Sequence, residues 1–584
     1  MLQFLKYVLA TIVGIMFFVF FGFVILAGVA SMSGESKTES ASIKENSVMK
    51  LNLNTEILET VGEDENMLNF ITKEENKAGL IQIKRAIKRA TAEKNIKGIY
   101  LLSENPSCNY ATLEEIREEL MAFQKTGKFI YAYGSFYSGK GYYVASVADK
   151  LFLNPAGMLA FQGLSTEITY LKGAFDKLEI KPVVFKVGAY KSAVEPFLRD
   201  DMSDENKEQL SSLNQSVNNF LMQKIAISRK TTSQALMLVA DSLSGVKPSG
   251  ALKNKLITDI GYLDEFENTI KKALKSSDKN INYISNNALD NEEVTAESKN
   301  KIAVIVSEGE IVGEKAEKGT IGSDDFTRAI RKAKDDNDVK AIVLRINSPG
   351  GSSLASEIMW REIQLAKKVK PVIASMGDYA ASGGYYMAMG ADKIVAEPTT
   401  ITGSIGIFGL FFNFESFMKN KLGISTQVVK TNTHADFPSA TKELTESEKI
   451  WFQQMIEDGY ESFTTKAALG RKMNLEKLKT LAGGRVWTGL QAKENGLVDV
   501  LGGLNDAIKI AASSAKLKEN EFAVTYLPKP KSWLENLTQS SIEDIEESML
   551  KSKMGVLYPI FKETNRLQNL KGIQARIPFS LTFK

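Results

Sequence analysis

The sequence predicts an α/β fold, and predicts it twice. Strand-like segments alternate with amphipathic helical segments, and the same order of elements returns about 243 residues later. A long uncharged apolar run precedes both sets. Alternation of this kind implies βαβ crossovers and a mostly parallel sheet.

The apolar run comes first. After Lys6, the stretch from Tyr7 to Met32 carries no charge and is dominated by Phe, Val, Ile, Leu, Ala and Gly. It exceeds the roughly 20 residues that cross a bilayer core and the roughly 7–15 apolar residues of a cleaved signal, so an uncleaved transmembrane helix is expected. The small-x-small segment Gly28-Val-Ala30 keeps a cleavage site open as the rival. Lys6 before the span and Glu35 after it point the bulk of the chain outward. Residues 33–47, rich in Ser, Glu and Lys, read as a solvated tether.

The first repeat is expected over 48–290. Met49-Lys-Leu-Asn-Leu53 opens it with strand alternation, and Ala78–Glu93 follows with Leu80, Ile81, Ile83, Ile87 and Ala90 at helical spacing. Ile96–Leu102 is the next strand, Ala111–Lys125 the next helix and Phe129–Tyr133 the next strand. A helical stretch over Glu205–Val239 closes this half. Lys275–Lys301 is polar and reads as a linker or surface connection, with the linker proper placed at 291–300. The second repeat, 301–515, runs Ile302–Val306, Thr327–Ala333, Ala341–Asn347, Ser353–Lys367 and Pro371–Ser375, then the helix Glu446–Ala468. The tail, 516–584, has no evident counterpart in the first half, although Ile542–Leu550 has a helical pattern.

The register between the halves is the most telling feature. Gly98-Ile-Tyr-Leu-Leu falls on Ala341-Ile-Val-Leu-Arg, and Gly139-Lys-Gly-Tyr-Tyr falls on Ser382-Gly-Gly-Tyr-Tyr. The same offset lays Lys191 on His434. One half offers a serine without the lysine, the other a lysine without the serine. A repeat that only stacked for stability has no reason to divide two polar residues in this way, so a site composed from both halves is expected.

Composition narrows the chemistry. Charged residues are 24% and apolar residues 43%, an ordinary globular balance. With 73 basic against 70 acidic residues there is no electrostatic footprint for nucleic acid. Cys108 is the only cysteine and His434 the only histidine, which removes an internal disulfide, thiolate metal clusters and most zinc designs. No cofactor and no metal is expected.

Two glycine-rich turns of the second repeat have the composition of a catalytic site. In Arg345-Ile-Asn-Ser-Pro-Gly-Gly-Ser352, Gly350 and Gly351 let the backbone turn its N–H groups toward a ligand, as an oxyanion requires. A plain strand-to-helix turn needing positive φ is the alternative. In Tyr379-Ala-Ala-Ser-Gly-Gly-Tyr-Tyr386, small neighbours leave Ser382 accessible ahead of a helical run. Ser382 also suits a helix N-cap. A nucleophilic serine needs a base. Lys191, in Gly188-Ala-Tyr-Lys-Ser-Ala-Val-Glu-Pro-Phe197, serves if burial lowers its pKa, unless Glu195 pairs with it. His434, in the polar Thr431-Asn-Thr-His-Ala-Asp436, is the other candidate.

Ala381-Ser-Gly-Gly, Asn347-Ser-Pro-Gly-Gly, Thr402-Gly-Ser-Ile-Gly406 and Tyr190-Lys-Ser-Ala-Val-Glu-Pro-Phe together resemble the signal peptide peptidase A (protease IV) family in its long, duplicated form. The resemblance runs from the anchor to about residue 515. It implies tandem Clp protease/crotonase-like repeats and a serine peptidase with a Ser–Lys dyad. Ser382 would be the nucleophile, Lys191 the general base supplied by the other repeat, and Ser404 the group that orients the lysine. Gly350, Gly351 and Gly383 would hold the oxyanion, and His434 would have no catalytic part. The resemblance further implies signal peptides as substrates, a homotetramer, and a single span in the bacterial inner membrane with the bulk on the periplasmic side. Two other readings use the same residues. A crotonase-type acyl-CoA enzyme needs the Pro-Gly-Gly donors but not Ser382, and a catalytically silent membrane scaffold needs neither Ser382 nor Lys191.

Overall fold

The computed structural model describes residues 43–62, 77–275, 280–290, 298–316, 319–519, 521–528 and 573–577, with scattered positions between 6 and 21. Most of the expected span Tyr7–Met32 and all of Ile542–Leu550 lie outside these residues. Among the described residues no helix is long and apolar enough to cross a membrane.

The fold is mixed α/β, and its duplication is visible in strand order. The first sheet runs Asp259–Ile260, Lys150–Leu159, Phe129–Tyr137, Ile96–Leu102, Ser47–Asn52 and Tyr283–Ser285, all parallel. The second sheet contains the same path: Val500–Leu501, Lys393–Ala396, Val372–Ala381, Val339–Ser348, Lys301–Glu308 and Ala523–Leu527. Two further strands, Ile401–Gly403 and Val486–Thr488, extend it beside Val372–Ala381. The central strands read as unbroken apolar runs because helices cover both faces. Ala341, Ile342, Val343, Leu344 and Ile346 are fully buried.

Three local expectations change. The stretch Glu205–Val239 is two helices, Asp204–Arg229 and Ser233–Asp241, because Lys230 adopts the left-handed conformation and Thr232 caps the second helix through its side chain. Within the polar stretch 275–301, Tyr283–Ser285 is an edge strand rather than a mere connection. Ala523–Leu527 is its counterpart in the second sheet, so the beginning of the tail does have a partner in the first half.

The halves are held together by charge in an apolar setting. Arg345 of the second repeat is fully buried and meets two carboxylates of the first, Glu59 at 2.8 Å and Glu115 at 2.7 Å. Lys84 also bonds Glu115. Burial alone would raise the Glu115 pKa, but Arg345 and Lys84 outweigh it and hold the carboxyl at about 2. Asp378 of the second repeat accepts from the backbone N–H groups of Asn109 and Thr112 at 3.0 and 2.9 Å, at the start of the first-repeat helix Tyr110–Gln124. A carboxylate there suits the helix dipole.

A third sheet crosses the boundary. The first-repeat strand Lys181–Lys186 pairs antiparallel with the second-repeat strand Phe408–Asn413, from Lys186 opposite Phe408 to Lys181 opposite Asn413. That crossing carries the following loop, and Lys191 with it, into the other half.

Candidate active site

Ser382 stands where the strand Val372–Ala381 turns into the short helix Gly383–Ala388. Its φ of 54° and ψ of −109° are unusual for a residue with a Cβ, a conformation that costs on the order of 1–3 kcal/mol and persists only when its surroundings enforce it. Two backbone bonds do so: Ser382 N–H donates to Gly403 O at 2.8 Å, and Tyr386 N–H donates to Ser382 O at 2.8 Å. The Ser382 side chain caps nothing, although the residue sits at the N-cap position. Its hydroxyl donates instead to Gly406 O at 3.2 Å. A Cβ on Gly383 would lie 2.6 Å from Ser356 Oγ, which explains why no larger residue follows the serine.

Lys191 comes from the other repeat. Its Nζ lies 2.9 Å from Ser382 Oγ, 3.1 Å from Ser404 Oγ and 3.2 Å from Ser404 O. All three side chains are fully buried. The loop that brings the lysine is docked on residues 483–486. Tyr190 N–H donates to Gly483 O at 3.1 Å, and the Arg485 guanidinium lies 4.7 Å from the centre of the Tyr190 ring. Gln209 joins the two sides, donating to Ser192 Oγ at 2.9 Å and accepting from Val486 N–H at 3.3 Å. Gly484 has φ +84°, and a Cβ there would fall 2.6–2.7 Å from the Lys191 Cβ, Cα and N. Only glycine lets the lysine backbone approach this closely.

Burial pushes the Lys191 pKa well below its ordinary value of 10.5, and the nearby Arg576 charge pushes in the same direction. Glu195 does not oppose this. Its carboxylate accepts from Asn206 Nδ2 at 3.0 Å and from Ser203 Oγ rather than from the lysine. An amine of this kind, in contact with a serine hydroxyl, can take the hydroxyl proton.

Ser404 also holds a positive φ, 48°, with its N–H donating to Arg485 O at 2.7 Å. Gly350 and Gly351 adopt φ of +100° and +158° in the short strand Gly350–Ser352. The Gly350 N–H donates to Ser348 Oγ at 3.2 Å. His434 lies apart from this cluster, half-exposed, with Nδ1 3.1 Å from Glu448 Oε1.

Two groups at the site were not singled out by sequence reasoning: the strand Ile573–Arg576 and Glu310, which lies 2.7 Å from Arg576. The only local signal was the alternation Ile573-Gln-Ala-Arg-Ile577 in an otherwise unassigned tail.

A model of peptidase family S49 matches residues 122–277 and again 364–518. Protease 4 of Haemophilus influenzae is 34% identical over 94% of this chain and 93% of its own length. Protease 4 of Salmonella typhi is 39% identical over 75% of this chain and 72% of its own. A chloroplastic serine protease SPPA of Arabidopsis thaliana is 33% identical over 85% of this chain and 74% of its own.

Proposed function

Because this chain belongs to peptidase family S49 and is a serine peptidase, we propose that it is a membrane-anchored endopeptidase that degrades cleaved signal peptides with a Ser382–Lys191 dyad. The observation that carries the dyad is the 2.9 Å contact between two fully buried side chains from different repeats. Neutral Lys191 takes the proton of Ser382, and Oγ attacks a peptide carbonyl. Backbone N–H groups of Gly351 and Gly383 stabilise the oxyanion, the Gly350 N–H being engaged by Ser348 Oγ. Lys191 then protonates the leaving amine, and water hydrolyses the ester. Ser404 keeps the amine aimed through its hydroxyl and carbonyl.

The uncharged run Tyr7–Met32 supports the anchor, and an anchored enzyme meets apolar peptides where they accumulate. Burying each apolar side chain of such a peptide is favourable by roughly 1.5–3 kcal/mol. The tandem Clp protease/crotonase-like architecture and a homotetramer with inward-facing sites belong to the same reading. Its test is hydrolysis of an apolar signal-peptide sequence by the full chain in detergent, with fluorophosphonate labelling followed by mass spectrometry. Label on Ser382, and loss of both label and turnover in Ser382→Ala, is the expected result. Turnover that survives Ser382→Ala would reject the dyad, and absent labelling with bound acyl-CoA would favour the crotonase-type reading.

A further inference from the structure

The strand that leads to Ser382 changes partners on its way there. Ile373–Met376 pairs with Lys393–Ala396, and Tyr379–Ala381 pairs with Ile401–Gly403. On the other edge, Ile346 stands opposite Met376 and Ser348 opposite Ala380, so Gly377, Asp378 and Tyr379 all face the single residue Asn347. A bulge of this kind re-aims every side chain that follows it, and a slip in register would turn them to the wrong face. Ser382 follows soon after.

Asn347 holds the bulge with its side chain. Its Oδ1 accepts from Tyr379 N–H at 3.1 Å, and its Nδ2 donates to Glu308 Oε1 at 3.2 Å. The other Glu308 oxygen accepts from Glu59 N–H, of the first repeat, at 2.9 Å. The main chain closes the same corner, with Gly309 N–H donating to Asn347 O at 3.0 Å. The bulge has no room to relax, since a Cβ on Gly377 would meet Glu59 Oε1 at 2.6 Å and Asn347 Cβ at 3.1 Å. Asn347 also opens the turn that contains Gly351, so one side chain ties that turn to the one bearing Ser382. The first repeat has the same bond at the equivalent place. Glu104 aligns with Asn347 and Phe136 with Tyr379, and Glu104 Oε1 accepts from Phe136 N–H at 3.2 Å. A carboxylate accepts on every side, whereas an amide accepts on one side and donates on the other. The half that carries the serine therefore needs something to set which way its amide faces.

We propose that Asn347 is a positioning residue for peptide hydrolysis, and that Glu308 acts through it by fixing the orientation of its amide. Together they hold the bulge in the register that sets Ser382 Oγ beside Lys191. This rests on Ser382 and Lys191 acting as nucleophile and base. Both residues act through the backbone of Tyr379 and not on the reacting atoms. Because Glu308 takes the Asn347 N–H, the amide oxygen is left facing Tyr379. Because Glu308 is itself anchored by Glu59, the register of the nucleophile is tied to the contact between the repeats.

The test uses the full chain in detergent with the apolar signal-peptide sequence as substrate. It reads kcat, KM and the rate at which a fluorophosphonate labels Ser382, with thermal unfolding alongside. Asn347→Ala leaves Tyr379 N–H without its acceptor, so kcat and the labelling rate should fall together by roughly 10–100-fold while KM stays within about twofold. In Glu308→Gln a backbone N–H, that of Glu59 or of Tyr379, must face an amide N–H whichever way the two amides turn, and kcat should fall by roughly tenfold. Combining Glu308→Gln with Asn347→Asp restores every bond with one donor reversed. The new amide donates to the new carboxylate and accepts from Glu59, and the carboxylate still accepts from Tyr379. This double variant should recover to within about threefold of wild type. An unchanged kcat in Asn347→Ala, or a loss confined to KM, overturns the positioning role. A double variant no better than Glu308→Gln overturns the part given to Glu308. Should Asn347→Ala fail to fold, Glu308→Gln and the double variant decide the matter, because both keep an oxygen on residue 347: rescue upholds the inference and its absence overturns it. Wild-type turnover that survives Ser382→Ala would defeat the nucleophile assignment and this inference with it. A wild type labelled on Ser382 beside an unaffected Asn347→Ala would defeat this inference alone.

Discussion

Replacing Lys191 by Met should abolish turnover and yet make the protein more stable, and the gain should depend on pH. In the folded chain the amine is fully buried and its pKa is held well below 10.5, first by burial and then by Arg576. In the unfolded chain it titrates as an ordinary lysine. Between the two values the unfolded state binds one more proton than the folded state, so stability rises with pH. The slope from this one group is about 1.4 kcal/mol per pH unit, and it vanishes below the depressed folded pKa. Below the folded pKa the cost relative to an uncharged side chain reaches its full size, about 1.4 kcal/mol for each unit by which burial and Arg576 hold the amine under 10.5, before the lost hydrogen bonds are counted. Those bonds, to Ser382 and Ser404, return about 1 kcal/mol each. Met has similar length and no charge, so the variant should be more stable than wild type at the acid end of the range, and its advantage should shrink by about 1.4 kcal/mol per pH unit as pH rises from the folded pKa toward 10.5. Urea unfolding of wild type and Lys191→Met in parallel, from pH 6 to 10, reads the difference directly. A difference independent of pH, or a variant less stable than wild type throughout, would refute a neutral buried lysine.

Four other outcomes follow from the geometry. His434→Ala should leave turnover within about twofold of wild type, because the imidazole meets Glu448 outside the serine–lysine cluster; steady-state kinetics on the apolar peptide checks this. Ser404→Ala should lower kcat by roughly 10–100-fold with little change in KM, on the scale known for groups that orient a reacting partner. Gly484→Ala should cut kcat by about 100-fold while circular dichroism stays native, since its Cβ would displace the Lys191 backbone by about an ångström. Arg345→Met should destabilise by about 3–5 kcal/mol in urea, because Glu59 and Glu115 would be left as buried carboxylates without their guanidinium.

The duplication, the α/β alternation and the split of serine from lysine were legible because each is a property of order along the chain. Apolar periodicity located Ile96–Leu102 and Ala341–Asn347, and a fixed offset aligned Gly139 with Ser382 and Lys191 with His434. Where sequence reading ran together the helices at 204–229 and 233–241, the break lies in one left-handed backbone conformation at Lys230, a residue type that does not announce it as glycine or asparagine would. The edge strands Tyr283–Ser285 and Ala523–Leu527 were missed for a different reason. They are short and flanked by polar residues, and only pairing with a neighbouring strand defines them.

By itself, then, the sequence determined which residue types were available and in what register: a serine between small residues, a lysine in an uncharged stretch, paired glycines after proline. Only the tertiary structure decided that Lys191 rather than His434 stands beside Ser382. That choice is made by the antiparallel pairing of Lys181–Lys186 with Phe408–Asn413, which carries one candidate base into the core and leaves the other at the surface. The depressed lysine pKa is likewise a property of burial, which no linear pattern encodes. The tail strand is the extreme case. Four residues with no distinguishing composition are defined by the main-chain edges between which they lie, because a hydrogen-bonding backbone is common to every sequence and only position in space decides which edges it joins.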